Sequence, residues 1–152
     1  MKLFISILIP LIVGTTAGLF TSKGVNGWYL QANKPFFNPP NWIFAPVWTV
    51  LYIMMGVALY LVWESETLKA IKRNAIIIFA IQLTLNFCWS FIFFYAQQTG
   101  WALVDIIALW LMIGCTIFYF RKISVTSAWL LVPYLAWVTF ATLLNFYIWK
   151  LN

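Results

Sequence analysis

Residues 22–45 read SKGVNGWYLQANKPFFNPPNWIFA, and Ser22–Ala45 is the one long segment of the chain that reads as unable to form a membrane helix. Gly24, Gly27, Pro35, Pro39 and Pro40 interrupt regular structure there, and Pro46 follows at once. Yet the segment carries six aromatics: Trp28, Tyr29, Phe36, Phe37, Trp42 and Phe44. A solvated linker is polar and poor in aromatics. An aromatic, proline-stiffened loop between apolar runs reads instead as a lid whose ring faces have something to cover. The glycines mark its expected hinge, and the prolines make it a stiff flap.

The composition around that segment belongs in lipid. The 152 residues are 64% hydrophobic and 8% charged, with a mean hydropathy of +0.94, whereas soluble domains carry about 25% charged residues. This length makes one domain. The net charge of +6 comes from cations scattered between apolar runs, which suits membrane loops and not a nucleic-acid surface. There is no histidine, and Glu64, Glu66 and Asp105 are the only carboxylates. Histidine-based triads, histidine–metal sites and most acid–base pairs are thereby excluded, and no metal site is expected. Cys88 and Cys115 lie inside apolar runs and read as small core residues.

Leu3–Thr21 is long enough to span a bilayer, which takes roughly 20 apolar residues. It is longer than the apolar core of a signal peptide and no A-x-A site follows, so it reads as a retained first helix. Four further spans are expected over 46–63, 75–95, 101–120 and 125–149, with the loop 22–45 as the lid. Apolar runs this continuous are helical, and the expected fold is an all-α integral membrane bundle of five transmembrane helices. Lys2, Lys69, Lys72, Arg73, Arg121 and Lys122 fall on one side, and Lys23, Lys34 and Lys150 on the other. This bias puts the amino terminus inside and the carboxyl terminus outside, with the lid on the outer face. Trp28, Trp42, Trp101 and Trp149 then lie near the outer boundary, where interfacial tryptophans gather.

Two stripes run inside the bundle. Gln82, Asn86, Ser90 and Gln97 of the third helix fall within roughly an 80° arc at about 100° per residue, and Phe93 shares it. Such a polar stripe faces the bundle interior, either as hydrogen-bonding glue between helices or as a cavity lining that orients a ligand. Tyr134, Trp137, Ala141 and Asn145 form one face of the fifth helix, with the small Ala141 leaving a recess between larger groups. Asp105, one turn into the fourth helix, is explained by the helix amino terminus, and no second carboxylate completes a proton relay. Gly14 and Gly18 form a G-x-x-x-G, which marks a close helix contact either within the chain, as is commoner, or between two copies of it. Leu144, Tyr147 and Lys150 satisfy a proposed cholesterol pattern that many helices leaving a membrane would match.

Four blocks of the chain resemble the translocator protein family, also called tryptophan-rich sensory protein or peripheral benzodiazepine receptor (TspO/MBR). They are WYLQANKPFFNPPNWIFAPVWTVLY (Trp28–Tyr52), QLTLNFCWSFIFF (Gln82–Phe94), GWALVDIIALW (Gly100–Trp110) and SAWLLVPYLAWVTFATLLNFYIWKLN (Ser127–Asn152). The resemblance implies a five-helix bundle, usually a homodimer, with a cavity beneath the first loop for porphyrins and related hydrophobic ligands. Carried over by motif, Trp28, Tyr29 and Trp42 belong to the lid, and Pro46 and Trp48 to the head of the second helix. Asn86, Trp89, Ser90 and Phe93 line the third helix, and Tyr134, Trp137, Ala141 and Leu144 the fifth. The sterol segment would be Ala141–Lys150, where Phe146-Tyr147 and Lys150 replace the Tyr-Tyr pair and Arg more usual in mammalian members.

The implied function is that of a membrane protein binding a protoporphyrin-type tetrapyrrole as sensor or transporter, with no cofactor required. Tryptophan faces stack on the macrocycle, and loop lysines meet its carboxylates. Without histidine a haem lacks its usual axial ligand, which favours a metal-free porphyrin. One alternative is light- or oxygen-dependent porphyrin degradation, with Trp48 and Trp137 as the catalytic candidates. Another is sterol or lipid translocation. A short chain without an amino-terminal extension points to a bacterial plasma membrane, where membrane lipid is a further partner.

Overall fold

Lipid leaves a spanning backbone few ways to satisfy its own N–H and C=O groups, and this chain satisfies them within helices. The computed structural model describes every residue from Met1 to Asn152 and contains helices and turns but no strand. The helices are α1 (Lys2–Val25), the single turn α2 (Trp28–Gln31), α3 (Phe44–Glu64), α4 (Lys69–Ser90), α5 (Thr99–Ile123) and α6 (Val125–Leu151). A 3-10 turn, Asn41–Ile43, leads into α3, and a π-helical turn, Phe91–Tyr95, continues α4. Five of these segments are long and apolar enough to cross a membrane.

The helices outrun their apolar cores. The third span begins at Lys69, six residues before the expected 75, because the basic stretch Lys69–Asn74 stays helical past the point where hydropathy falls. At the other end of the bundle, α1 continues to Val25 and not to Thr21, so the irregular segment is shorter than 22–45. Gly24 explains the difference. It is buried, and a Cβ there would overlap the Phe94 side chain and crowd its carbonyl oxygen. Gly24 thus brings α1 close against the π turn and is not the break in structure that glycine suggests in a loop. The α5–α6 corner is capped by Ser124, whose side chain accepts from the Ser127 N–H at 3.2 Å, a contact worth about 1 kcal/mol.

Around the bundle α1 packs on α3, α3 on α6, α6 on α5, α5 on α4, and α4 with its π turn back on α1. This ring makes an interior onto which α3, α4 and α6 all face. Near its middle, a Cβ on Gly56 of α3 would overlap Ile7 of α1, and a Cβ on Gly14 of α1 would overlap the Tyr52 ring. One turn further, a Cβ on Gly18 would meet nothing within 4 Å. The two glycines of the G-x-x-x-G therefore part company: Gly14 makes a contact within the chain, and Gly18 borders a cleft.

The segment between α1 and α3 is tied to the bundle at several points. Trp28 Nε1 donates to the Phe94 carbonyl at 2.8 Å, and within the segment the Tyr29 hydroxyl donates to Asn38 Oδ1 at 2.7 Å. Asn33 and Asn152 exchange bonds, with Asn33 N–H donating to Asn152 Oδ1 at 3.1 Å and Asn152 Nδ2 to the Asn33 carbonyl at 2.9 Å. The loop and Asn152, just past the end of α6, therefore share one face of the bundle.

Candidate functional site

Under this loop the aromatic side chains of five elements close on one another. Tyr29 from the loop, Phe44 and Trp48 from α3, Trp89 from α4, Phe93 and Phe94 from the π turn, and Trp137 with Ala141 and Leu144 from α6 surround a cavity of about 20 Å³. Thr21, Asn145 and Ile148 complete its wall. Trp48 and Trp137 stand perpendicular with ring centroids 6.5 Å apart, and Trp89 stacks on Phe93 at 5.2 Å. The π turn matters here. Its wider turn lets the consecutive residues Phe93 and Phe94 both point inward, where each is buried.

Polar groups define the floor and one wall. Below the box the Tyr52 hydroxyl donates to Asn86 Oδ1 at 2.6 Å, Asn86 Nδ2 donates to the Tyr134 hydroxyl at 2.8 Å, and that hydroxyl donates to Gln82 Oε1 at 2.7 Å. This buried chain joins α3, α4 and α6, and it occupies both ends of the Asn86 amide. Asn86 and Gln82 thus serve as interhelical glue. Higher up, Trp89 Nε1 donates to Asn145 Oδ1 at 2.9 Å, and Asn145 Nδ2 donates to the Thr99 carbonyl at 2.9 Å. Trp137 Nε1 is the contrast: a buried N–H without an acceptor, on a ring that walls the box. Buried donors are almost always paired, so one left over in a cavity wall calls for a reason.

Of the residues singled out in the sequence, Tyr29, Trp48, Trp89, Phe93, Trp137, Ala141 and Leu144 meet at the box. Trp28 lies one layer out, packed at 5.5 Å on Phe93. Asn86 and Tyr134 lie below, in the hydrogen-bonded chain, and Ser90 faces the neighbouring cleft. Pro46 is exposed, and Trp42 is 73% exposed, away from the cavity. Gln97 leaves the expected stripe altogether: it follows the π turn with φ of 58° and is exposed. The sterol pattern does not form one surface. Leu144 faces the box, whereas Tyr147 and Lys150 point outward, Tyr147 against Phe37 at 5.5 Å and Lys150 over Phe146. Asp105 lies outside the box in a groove with Gln98 and Trp101, with one carboxylate oxygen unpartnered.

Phe94, Phe44 and Ile148 are lining residues that the sequence reading did not single out as site residues. Ile148 continues the Tyr134–Trp137–Ala141–Asn145 face by one more step of helical spacing, a signal that was present. Phe94 had no such signal, since α-helical spacing turns it away from Phe93. At the loop, burial pushes the Tyr29 phenol up to about 12 against the opposing bond to Asn38, so the hydroxyl stays a proton donor.

Comparison with known proteins agrees with this architecture. The family model described as TspO/MBR family matches residues 6–150. The chain is 45% identical over 152 residues to the tryptophan-rich protein TspO of Archaeoglobus fulgidus, covering 100% of this chain and 97% of that protein. It is 46% identical over 142 residues to the protein of the same name from Chlorobaculum tepidum, covering 93% and 90%. It is 38% identical over 148 residues to the translocator protein of Ovis aries, covering 93% and 86%. An integral, multi-pass membrane protein with five spanning helices, this chain belongs to the TspO/MBR family.

Proposed function

We propose that the protein binds a protoporphyrin-type tetrapyrrole, or a similar flat hydrophobic molecule, between the indoles of Trp48, Trp89 and Trp137, acting as sensor or transporter for it. The observation that carries this reading is the unpaired, buried Trp137 N–H in a box walled mainly by aromatic side chains. Aromatic faces grip a conjugated plate, and a single free donor fixes its orientation at a polar edge. In this reading Lys34, whose ammonium lies 4.7 Å from the Tyr29 ring centroid at the loop boundary, meets a propionate where the ligand reaches water.

At about 20 Å³ the box is the closed form of such a site, since pockets for drug-sized ligands measure roughly 300–1,000 Å³. Binding therefore parts the tryptophans. The amino terminus lies inside and the loop outside in this reading, which follows the lysine and arginine bias. The test is a fluorescence titration of the purified protein with protoporphyrin, haem and a sterol. Saturable tryptophan quenching by the metal-free porphyrin is expected, with haem no tighter because no histidine is present to ligate its iron. Non-saturable quenching identical to that of free tryptophan would contradict the proposal.

A further inference from the structure

The closed box has a larger neighbour. Between α1 and α3 lies a cleft of about 420 Å³, and the two spaces share Thr21, Phe44 and Trp48. One phenyl ring and one indole thus stand between the box and the cleft. The cleft exists because the helices diverge: they touch at Gly56 and Ile7, still touch at Gly14 and Tyr52, and have separated at Gly18. Its mouth is bordered by the exposed small residues Thr15, Gly18, Ala45 and Thr49 on the outer surface of the bundle. The hydroxyls of Thr15, Thr21 and Thr49 each donate to the carbonyl four residues earlier, so they ask nothing of a ligand passing through.

The two ways into the box differ in what must be broken. The loop side is held to the bundle by the Trp28–Phe94 and Asn33–Asn152 hydrogen bonds. No hydrogen bond holds Trp48, which is kept in place by ring contacts with Tyr52, Trp89, Tyr134 and Trp137. A side-chain rotation suffices on one side, whereas a segment must detach on the other.

We propose that the α1–α3 cleft is the lateral route by which a planar aromatic ligand dissolved in the bilayer reaches the box, with Trp48 and Phe44 as the swinging partition and the loop remaining latched. The ligand class rests on the porphyrin reading above; the route rests on the geometry of α1 and α3. When the partition turns, box and cleft merge into one chamber of the size that a tetrapyrrole requires.

Gly18→Phe places a ring in the mouth of the cleft without touching the box. Gly114→Phe on α5, where an added Cβ also meets nothing within 4 Å, is the matched control. In phosphatidylcholine nanodiscs, stopped-flow quenching by protoporphyrin is expected to show association at least tenfold slower for Gly18→Phe. Gly114→Phe and the latch variant Asn152→Ala, which removes the side chain that bonds the Asn33 backbone, should stay within twofold of wild type. Wild-type rates in Gly18→Phe would overturn the route, as would faster association in Asn152→Ala with Gly18→Phe unaffected, which would place access under the loop. If Gly18→Phe loses its helical circular dichroism, Thr49→Trp on the opposite wall carries the same test. Absence of saturable quenching in the wild type would remove the porphyrin reading and the route together, whereas saturable quenching at equal rates removes the route alone.

Discussion

Trp89 and Trp137 are the same residue type in the same cavity with opposite polar circumstances. Trp89 has spent its N–H on Asn145, and that bond orients the indole on which Phe93 stacks. Replacing Trp89 with Phe leaves the Asn145 acceptor buried and unpaired, with an expected loss of about 1–3 kcal/mol of stability. Trp137→Phe removes a donor that has no partner, so no comparable penalty arises from hydrogen bonding. Thermal melting of both variants in the same detergent checks the contrast, and equal destabilisation would contradict it. Both tryptophans were legible in the sequence from motif and stripe, but which of them holds a free N–H was not. That depends on Asn145 and on the Thr99 carbonyl, brought together by the α5–α6 packing.

The third and fifth spanning helices hold the bundle's buried polar network, and here the sequence left two readings open for one stripe. The structure divides the stripe by depth: Gln82 and Asn86 bond across to Tyr52 and Tyr134, Ser90 turns to the cleft, and Gln97 lies beyond the helix. Asn86→Leu should therefore destabilise the protein by about 1–2 kcal/mol, on the scale of two interhelical hydrogen bonds in lipid, and leave porphyrin affinity within twofold. A tenfold loss of affinity at unchanged melting temperature would instead make Asn86 a ligand contact. The α-helical spacing that placed Gln82, Asn86 and Phe93 in the interior also hid Phe94. A π turn changes the angular period for five residues, and nothing in FIFFY (Phe91–Tyr95) announces it. Gly24 misleads for a related reason: glycine permits both a break and a close approach, and its partner Phe94 lies far along the chain.

At the scale of the whole molecule, the number and order of spans were readable because lipid enforces continuous apolar runs, whereas helix ends were not, because Lys69–Asn74 and Ser22–Val25 remain helical outside them. The ring order of the helices was equally hidden, since short loops constrain only sequential neighbours. What the ring creates is a closed aromatic box beside an open cleft, separated by Trp48. In the proposed function the ligand is held in the box. That placement is tested most directly by a porphyrin titration of the double variant Trp48→Phe, Trp137→Phe beside Trp42→Phe, Trp129→Phe, whose indoles are largely exposed. A dissociation constant at least tenfold weaker, about 1.4 kcal/mol, is expected for the first pair and an unchanged one for the second. Equal affinity in the two double variants would contradict it.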